Sequence, residues 1–214
     1  LSNIKAMLVK VFGSAVFGVE ATTITVEVNI DKGIGYHLVG LPDNAIKESS
    51  YRIAAALKNN GYEFPGKKIT VNLAPADLRK EGSAYDLTLA VGILSASNQI
   101  NATEVDQYVI MGELSLDGSL QPIKGALSIA IKAKEEGFKG FFLPIQNVKE
   151  AAIVSGLDVY GVENLQEVIA DRVGSNLKDI FLTKKSHLTL RIGTPLQQVY
   201  LTKCFHFALE KESI

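Results

Sequence analysis

The residue order predicts an α/β (or α+β) domain, and three observations carry that reading. Polar and apolar residues alternate strictly from Thr23 to Ile30, the period of a half-buried strand. Apolar positions at helical spacing follow between Asp43 and Leu57. Between Asp86 and Glu104 no charged residue occurs, as expected of a helix buried on most sides. Strand and helix signatures then alternate to about Ala170.

Each element follows from local chemistry. Val9 to Asn29 is rich in Val, Ile, Thr and Phe and is punctuated by Gly13 and Gly18, which predicts a meander. Asp31-Lys32-Gly33 is a turn, and Tyr36–Val39 is a short strand. Asp43 is placed to cap a helix whose inner face holds Ile46, Ser50, Ile53, Ala54 and Leu57, and Asn60-Gly61 stops it. Lys68–Leu73 is a strand, Ala74–Gly82 a polar loop, and Ser83–Ser97 the buried helix, with its stripe at Leu87, Ala90, Val91 and Leu94. Tyr108–Leu116 is a strand that turns at Asp117-Gly118 into Ser119–Ile123. The next helix faces inward with Ile123, Leu127, Ala130 and Ile131 and ends near Gly137. Phe141–Leu143 is a strand, Asn147–Val154 a helix capped by Asn147, Leu157–Tyr160 a strand, and Asn164–Ala170 a last helix.

Composition excludes several classes. The 214 residues hold 22 Lys and Arg against 23 Asp and Glu, and 47% are hydrophobic, so the chain is neither disordered nor a basic nucleic-acid coat. A lone cysteine, Cys204, forms no internal disulfide, and no paired Cys/His spacing suggests zinc. No run is apolar enough for a membrane span and no signal peptide is legible, so the cytoplasm is the expected compartment. The first methionine is Met7, which sets Leu1–Ala6 apart as an extension. Residues 171–214 carry seven Lys and Arg against four Asp and Glu, net +3, which leaves the first 170 at −4. That change, with the loss of a clean period, marks 171–214 as a tail outside the compact domain.

The segment from Asn72 to Leu87 is the densest in polar groups, and it joins a strand to the buried helix. One reading is a site at a helix N-terminus, where free N–H groups hold an anion or an oxyanion. The other is a capping box, with Ser83 as the cap and Asp86 three residues on. Residue types favour the cap. Asp77, Glu81 and Asp86 lie beside Arg79-Lys80 and are too few for the oxygen shell of a hard cation. Gly33-Ile34-Gly35 and Pro65-Gly66-Lys67 lack the spacing of a phosphate-wrapping loop. His37, His187 and His206 are scattered, and a hydrogen-bonded structural role suits His37. Lys184, Lys185, His187 and Arg191 form a basic tail patch. A second basic face is possible around Lys67, Lys68, Arg79 and Lys80.

Gly40-Leu41-Pro42-Asp43-Asn44-Ala45-Ile46-Lys47-Glu48-Ser49, the Asn72–Leu87 segment, and Gly112-Glu113-Leu114-Ser115-Leu116-Asp117-Gly118 leading to Pro122-Ile123-Lys124-Gly125-Ala126-Leu127 together resemble one family in order and spacing. It is the N-terminal domain of the YifB/ComM proteins, the magnesium-chelatase-like AAA+ ATPases, and the resemblance runs from about Met7 to Ala170. It implies a two-layer α/β sandwich like the Lon protease domain and the C-terminal domain of RadA, with a left-handed βαβ crossover that departs from the usual hand. It also implies an AAA+ module elsewhere in the protein, with ATP and magnesium as that module's cofactors and none in this domain. The implied partners are that module, DNA and further copies in a hexamer, with a role in branch migration during natural transformation. The chain ends before any Walker A loop.

Lon-type proteases use a serine activated by a lysine. Placing Gly82 and Thr88 on the matching family positions puts Ala84 where the nucleophile belongs and Ser83 where a proline belongs. The base position falls on Leu127. Both members of the dyad are therefore absent from register. Ser83 and Lys124 serve only if each is shifted, and one residue turns a helical side chain by about 100°. The expectation is a module without catalysis. The alternative is a Lon-like serine peptidase built on Ser83 and Lys124.

Overall fold

The structure is a computed structural model that describes residues 8–101 and 103–169 with their side chains, and the backbone of two short strands further on. In order these are β1 (Val9–Phe17), β2 (Glu20–Asp31), β3 (Gly35–Val39), α1 (Asn44–Lys47), α2 (Ser49–Asn59), β4 (Lys68–Ala74), α3 (Asp86–Ala96), β5 (Tyr108–Ile110), β6 (Glu113–Leu114) and β7 (Leu120–Gln121). Then follow α4 (Ala126–Glu135), β8 (Gly140–Pro144), α5 (Val148–Ala151), β9 (Asp158–Val162), α6 (Leu165–Val168), β10 (His187–Leu188) and β11 (Val199–Leu201). Leu1–Ala6, Cys204, His206 and the basic residues Lys184, Lys185 and Arg191 lie outside the described residues.

One mixed sheet organises the domain, in the order β10-β11-β9-β8-β5-β1-β2-β4-β3. β1, β2 and β4 run antiparallel to their neighbours within that trio, whereas β5, β8 and β9 run parallel to one another and to β1. β3 lies parallel to β4, and α1 and α2 cross between them to make the βαβ unit. β11 runs parallel to β9 and antiparallel to β10.

The alternation in β2 has its physical cause in this sheet. Ile24, Val26, Val28 and Ile30 are buried, while Thr23, Thr25, Glu27 and Asn29 on the opposite face are only half-buried. Register places Val11 beside Val26 and Val9 beside Val28, so β1 and β2 present one apolar face. α3 lies against that face with every residue buried, which explains its lack of charge. Its approach is close: a β-carbon on Gly92 would sit 2.7 Å from Val28 and 3.2 Å from Val11.

Three elements and one side chain differ from the pattern-based expectation. The first helix is broken at Glu48 into α1 and α2, and the residues it buries are Ile46, Ser49, Ile53, Ala56 and Leu57. The Asp43 cap is present, its Oδ1 accepting from the Ile46 N–H at 2.9 Å. The strand expected over Tyr108–Leu116 stops at Ile110, because the Gly112 main chain leaves the sheet to bond Ala84 and Leu87. α4 turns Ala126, Ile129, Ala130 and Ala133 inward and leaves Ile131 43% exposed, so its inner face is built from smaller residues than the Leu127/Ile131 stripe. His37 pairs with Thr70 in the β3–β4 ladder, and its side chain is exposed and makes no hydrogen bond among the described residues.

Candidate functional site

The segment before α3 is where structure and expectation part most. Ser83–Tyr85 form a 3-10 turn and α3 begins at Asp86, with no side-chain cap at either start. The capping box is therefore absent, and its two members serve separate clusters.

Asp86 is fully buried and bonded by Arg52 from α2, whose Nε donates to Oδ2 at 2.7 Å and whose second nitrogen donates to Oδ1 at 2.9 Å. The Leu114 N–H donates to the same carboxylate at 3.3 Å, and Arg52 also reaches the Ala45 carbonyl at 2.8 Å. One bidentate pair thus ties α1, α2, α3 and β6 together. Burial pushes the Asp86 carboxyl up, opposed by the hydrogen bonds and charge of Arg52. The hydrogen bond from Arg52 to Asp86 pushes the guanidinium up. Nearby, burial raises the Tyr36 hydroxyl to about 12. With its carboxylate committed, Asp86 cannot join Asp77 and Glu81 around a cation.

Ser83 points the other way. It lines a cavity of about 470 Å³ between the end of β1, the 79–85 loop, Glu113 and the 122–124 turn. Its Oγ donates to the Glu113 carboxylate. The two are brought together by main-chain bonds, Gly112 N–H to Ala84 O at 2.8 Å and Leu87 N–H to Gly112 O at 2.9 Å. Lys124 lines the same cavity. It is placed there by Asn147, which does not cap a helix as expected. Instead its Oδ1 accepts from the Ile123 N–H at 2.9 Å and its Nδ2 donates to the Ile123 carbonyl at 2.8 Å. Gly125 then starts α4 at φ +74, where a β-carbon would meet Val16 at 2.9 Å.

The structure therefore gathers Ser83 and Lys124, the two shifted dyad candidates, in one cavity, with Ala84 also on its wall. Leu127, which the resemblance puts at the base position, is not among the lining residues; it is half-buried on α4 and its N–H donates to Glu150 at 3.1 Å. Glu113 and Tyr85 complete the polar wall, and sequence reasoning singled out neither. Glu113 stood inside a quoted motif, but only the bonds of Gly112 reveal that it faces Ser83. Burial raises the Tyr85 hydroxyl, and the charge of Asp43 adds to the shift.

The anticipated basic face is also altered. Lys80 is fully buried, its ammonium donating to the Gly40 carbonyl at 2.9 Å and to the Pro75 carbonyl, so it presents no charge to a partner. Arg79 is exposed and paired with Glu81 at 3.0 Å. Lys67 and Lys68 remain at the surface.

A mixed sheet carrying a wholly buried α3 defines a Lon-like α/β module. Residues 26–147 match the family described as subunit ChlI of Mg-chelatase. The chain belongs to that family, within its YifB/ComM branch. It is 45% identical over 157 residues to the protein YifB of Escherichia coli, covering 73% of this chain and 31% of that one. It is 41% identical over 160 residues to the competence protein ComM of Haemophilus influenzae, covering 74% and 31%. A weaker similarity, 29% over 126 residues, joins it to Lon protease 2 of Bacillus subtilis. The chain spans about a third of the length of the YifB and ComM relatives it matches. Among the described residues no helix is long and apolar enough to cross a membrane.

Proposed function

We propose that this chain is the non-catalytic, Lon-like module of a cytoplasmic magnesium-chelatase-like AAA+ ATPase, serving DNA processing as its competence relative's name suggests. The observation that supports it most is the 41% identity to ComM over nearly the whole Lon-like unit. In this reading ATP and magnesium are bound by an AAA+ module of the same protein. This domain packs on that module, organises copies into a ring, and helps position DNA during branch migration. In this reading Ala84, which lines the cavity, stands where the resemblance to Lon proteases expects the nucleophile.

The test is a domain exchange. The corresponding segment of Haemophilus influenzae ComM is replaced by residues 7–169, and transformation frequency is scored against a segment-deleted strain. Restoration is expected; a frequency no higher than that of the deletion contradicts the proposal.

A second reading, a serine peptidase, has one observation in its favour: Ser83, Glu113 and Lys124 share a cavity. Against it, the Ser83 hydroxyl is engaged by a carboxylate rather than by the lysine. Peptide cleavage that Ser83→Ala abolishes would establish it.

A further inference from the structure

Two consecutive amides at the end of α2 grip a turn 57 residues further along the chain. Asn59 Nδ2 donates to the Leu116 carbonyl at 2.8 Å. Asn60 Nδ2 donates to the Asp117 carbonyl at 2.9 Å and to the Ala56 carbonyl of its own helix at 2.8 Å. Gly118 comes next at φ +90 and lies against the Asn60 amide, for a β-carbon there would sit 2.2 Å from Nδ2. The turn is closed by its own main chain, Gly118 N–H to the Ser115 carbonyl and Ser115 N–H to the Ser119 carbonyl, both at 2.9 Å. The Leu165 N–H donates to the Gly118 carbonyl at 2.9 Å, so the start of α6 leans on the same turn. This turn joins β6 to β7, and β6 begins with Glu113 of the cavity.

The residue after Asn60 is Gly61, and that pair is chemically labile. Lacking a β-carbon, glycine leaves its main-chain nitrogen unhindered. That nitrogen can attack Cγ of the preceding asparagine. A C–N bond forms and closes a succinimide, the Cγ–Nδ2 bond breaks, and ammonia leaves with the hydrogen of the Gly61 N–H. Water then opens the ring at either carbonyl and leaves aspartate or isoaspartate. The fold holds both nitrogens of this reaction. Gly61, at φ +81, closes α2 as a Schellman motif. Its N–H donates to the Lys58 carbonyl at 3.3 Å, and the Tyr62 N–H donates to the Leu57 carbonyl at 2.9 Å. The leaving nitrogen, Asn60 Nδ2, is held by its two carbonyls. Water has access, since Asn60 is half-buried and Gly61 is exposed.

We infer that Asn60 is a deamidation site gated by the fold, and that its conversion to aspartate or isoaspartate releases the 115–118 turn from the end of α2. The reaction proceeds when the helix end opens locally and frees the Gly61 nitrogen and the Asn60 amide together. After it, a carboxylate faces the Ala56 and Asp117 carbonyls where a donor stood, so acceptor meets acceptor. The neighbouring Asp117 adds like charge. Ammonia has been lost, so the grip does not re-form and the change runs one way.

The experiment holds the full chain at mildly alkaline pH and physiological temperature, and mass spectrometry of its proteolytic fragments follows conversion at Asn60. The same chain unfolded in guanidinium chloride is the comparison. Conversion in the folded chain is expected to be at least about tenfold slower than in the unfolded one. Asn59→Ala, at an exposed position, removes one of the two grips and is expected to speed conversion of the folded chain severalfold. Amide hydrogen exchange reads the consequence. In Asn60→Asp, exchange at Gly118 and Leu165 is expected to quicken by about tenfold, with the circular dichroism spectrum unchanged. The aged chain, separated from its parent by charge, gives the same reading without a substitution. Equal conversion rates in the folded and unfolded chains overturn the gating. Exchange at Gly118 and Leu165 that stays the same in the aged chain overturns the release of the turn.

Discussion

Ser83 and Asp86 are three residues apart and live in opposite environments. Asp86 is wholly enclosed, and its carboxylate accepts from Arg52 twice and from the Leu114 N–H. Ser83 is half-buried, shares one bond with Glu113, and borders a cavity that Lys124, Arg79 and Glu81 also line. The contrast separates what holds α3 in place from what the molecule can offer a partner. A buried charge survives only when fully bonded, so the Asp86 cluster is architecture. The Ser83 hydroxyl, with one bond beside a cavity, carries no such structural demand.

Substitutions sharpen that comparison. The largest effect is expected from Asp86→Ala, which strands the Arg52 guanidinium between α2 and α3. Urea denaturation should show a loss of about 3 kcal/mol, the lower end for a broken buried pair because Arg52 is partly open to water. Asn147→Ala comes next. It deprives the buried Ile123 N–H and carbonyl of partners at once, for about 2 kcal/mol, and it should also loosen the 122–124 turn that places Lys124.

Lys80→Met removes the donor to two carbonyls that water can reach in part, and about 1 kcal/mol is expected. This residue also carries a pH signature. Burial lowers the Lys80 pKa, with the charge of Asp77 acting in the opposite direction. The unfolded chain therefore holds the proton at pH values where the folded chain has released it. Stability contributed by this group rises with pH from the lowered folded value to the ordinary lysine value. Lys80→Met should lack that rise, read as a flatter stability–pH curve on the alkaline side. The smallest effect belongs to Ser83→Ala, under about 1 kcal/mol, because the remaining Glu113 carboxylate can turn to water. Equal losses for Ser83→Ala and Asp86→Ala would break the comparison.

The sequence made much of the fold legible. Period-two alternation in β2 reports a sheet with one covered face, and the charge-free run reports a helix covered all round. Asp43 and Asn164 both cap helices as their types suggest, each accepting from an N–H three residues on. What local pattern misjudged was set by distant partners. Asp86 fits a capping box until Arg52, from another helix, claims it. Asn147 fits a cap until the Ile123 main chain, 24 residues away, takes both ends of its amide. Lys80 reads as surface charge until two carbonyls close over its ammonium. Ile123 and Ala130 are buried as expected, but in α4 Ile129 and further alanines, not Ile131, complete the buried face.

The candidate site shows the same division. Ser83 and Lys124 stand out in the sequence as shifted candidates for a dyad, and Ala84 as the residue expected at the nucleophile position. Their shared cavity was not, because it is assembled by the bonds of Gly112 and Asn147. Glu113 and Tyr85 carry no local signal of their own.

The central claim is that this Lon-like module lacks a working nucleophile. Mass spectrometry of the chain after incubation with a serine-directed fluorophosphonate tests it most directly. The account predicts that Ser83 carries no adduct beyond that of a heat-unfolded control. Stoichiometric labelling of Ser83 in the folded chain, lost in Ser83→Ala, would contradict it.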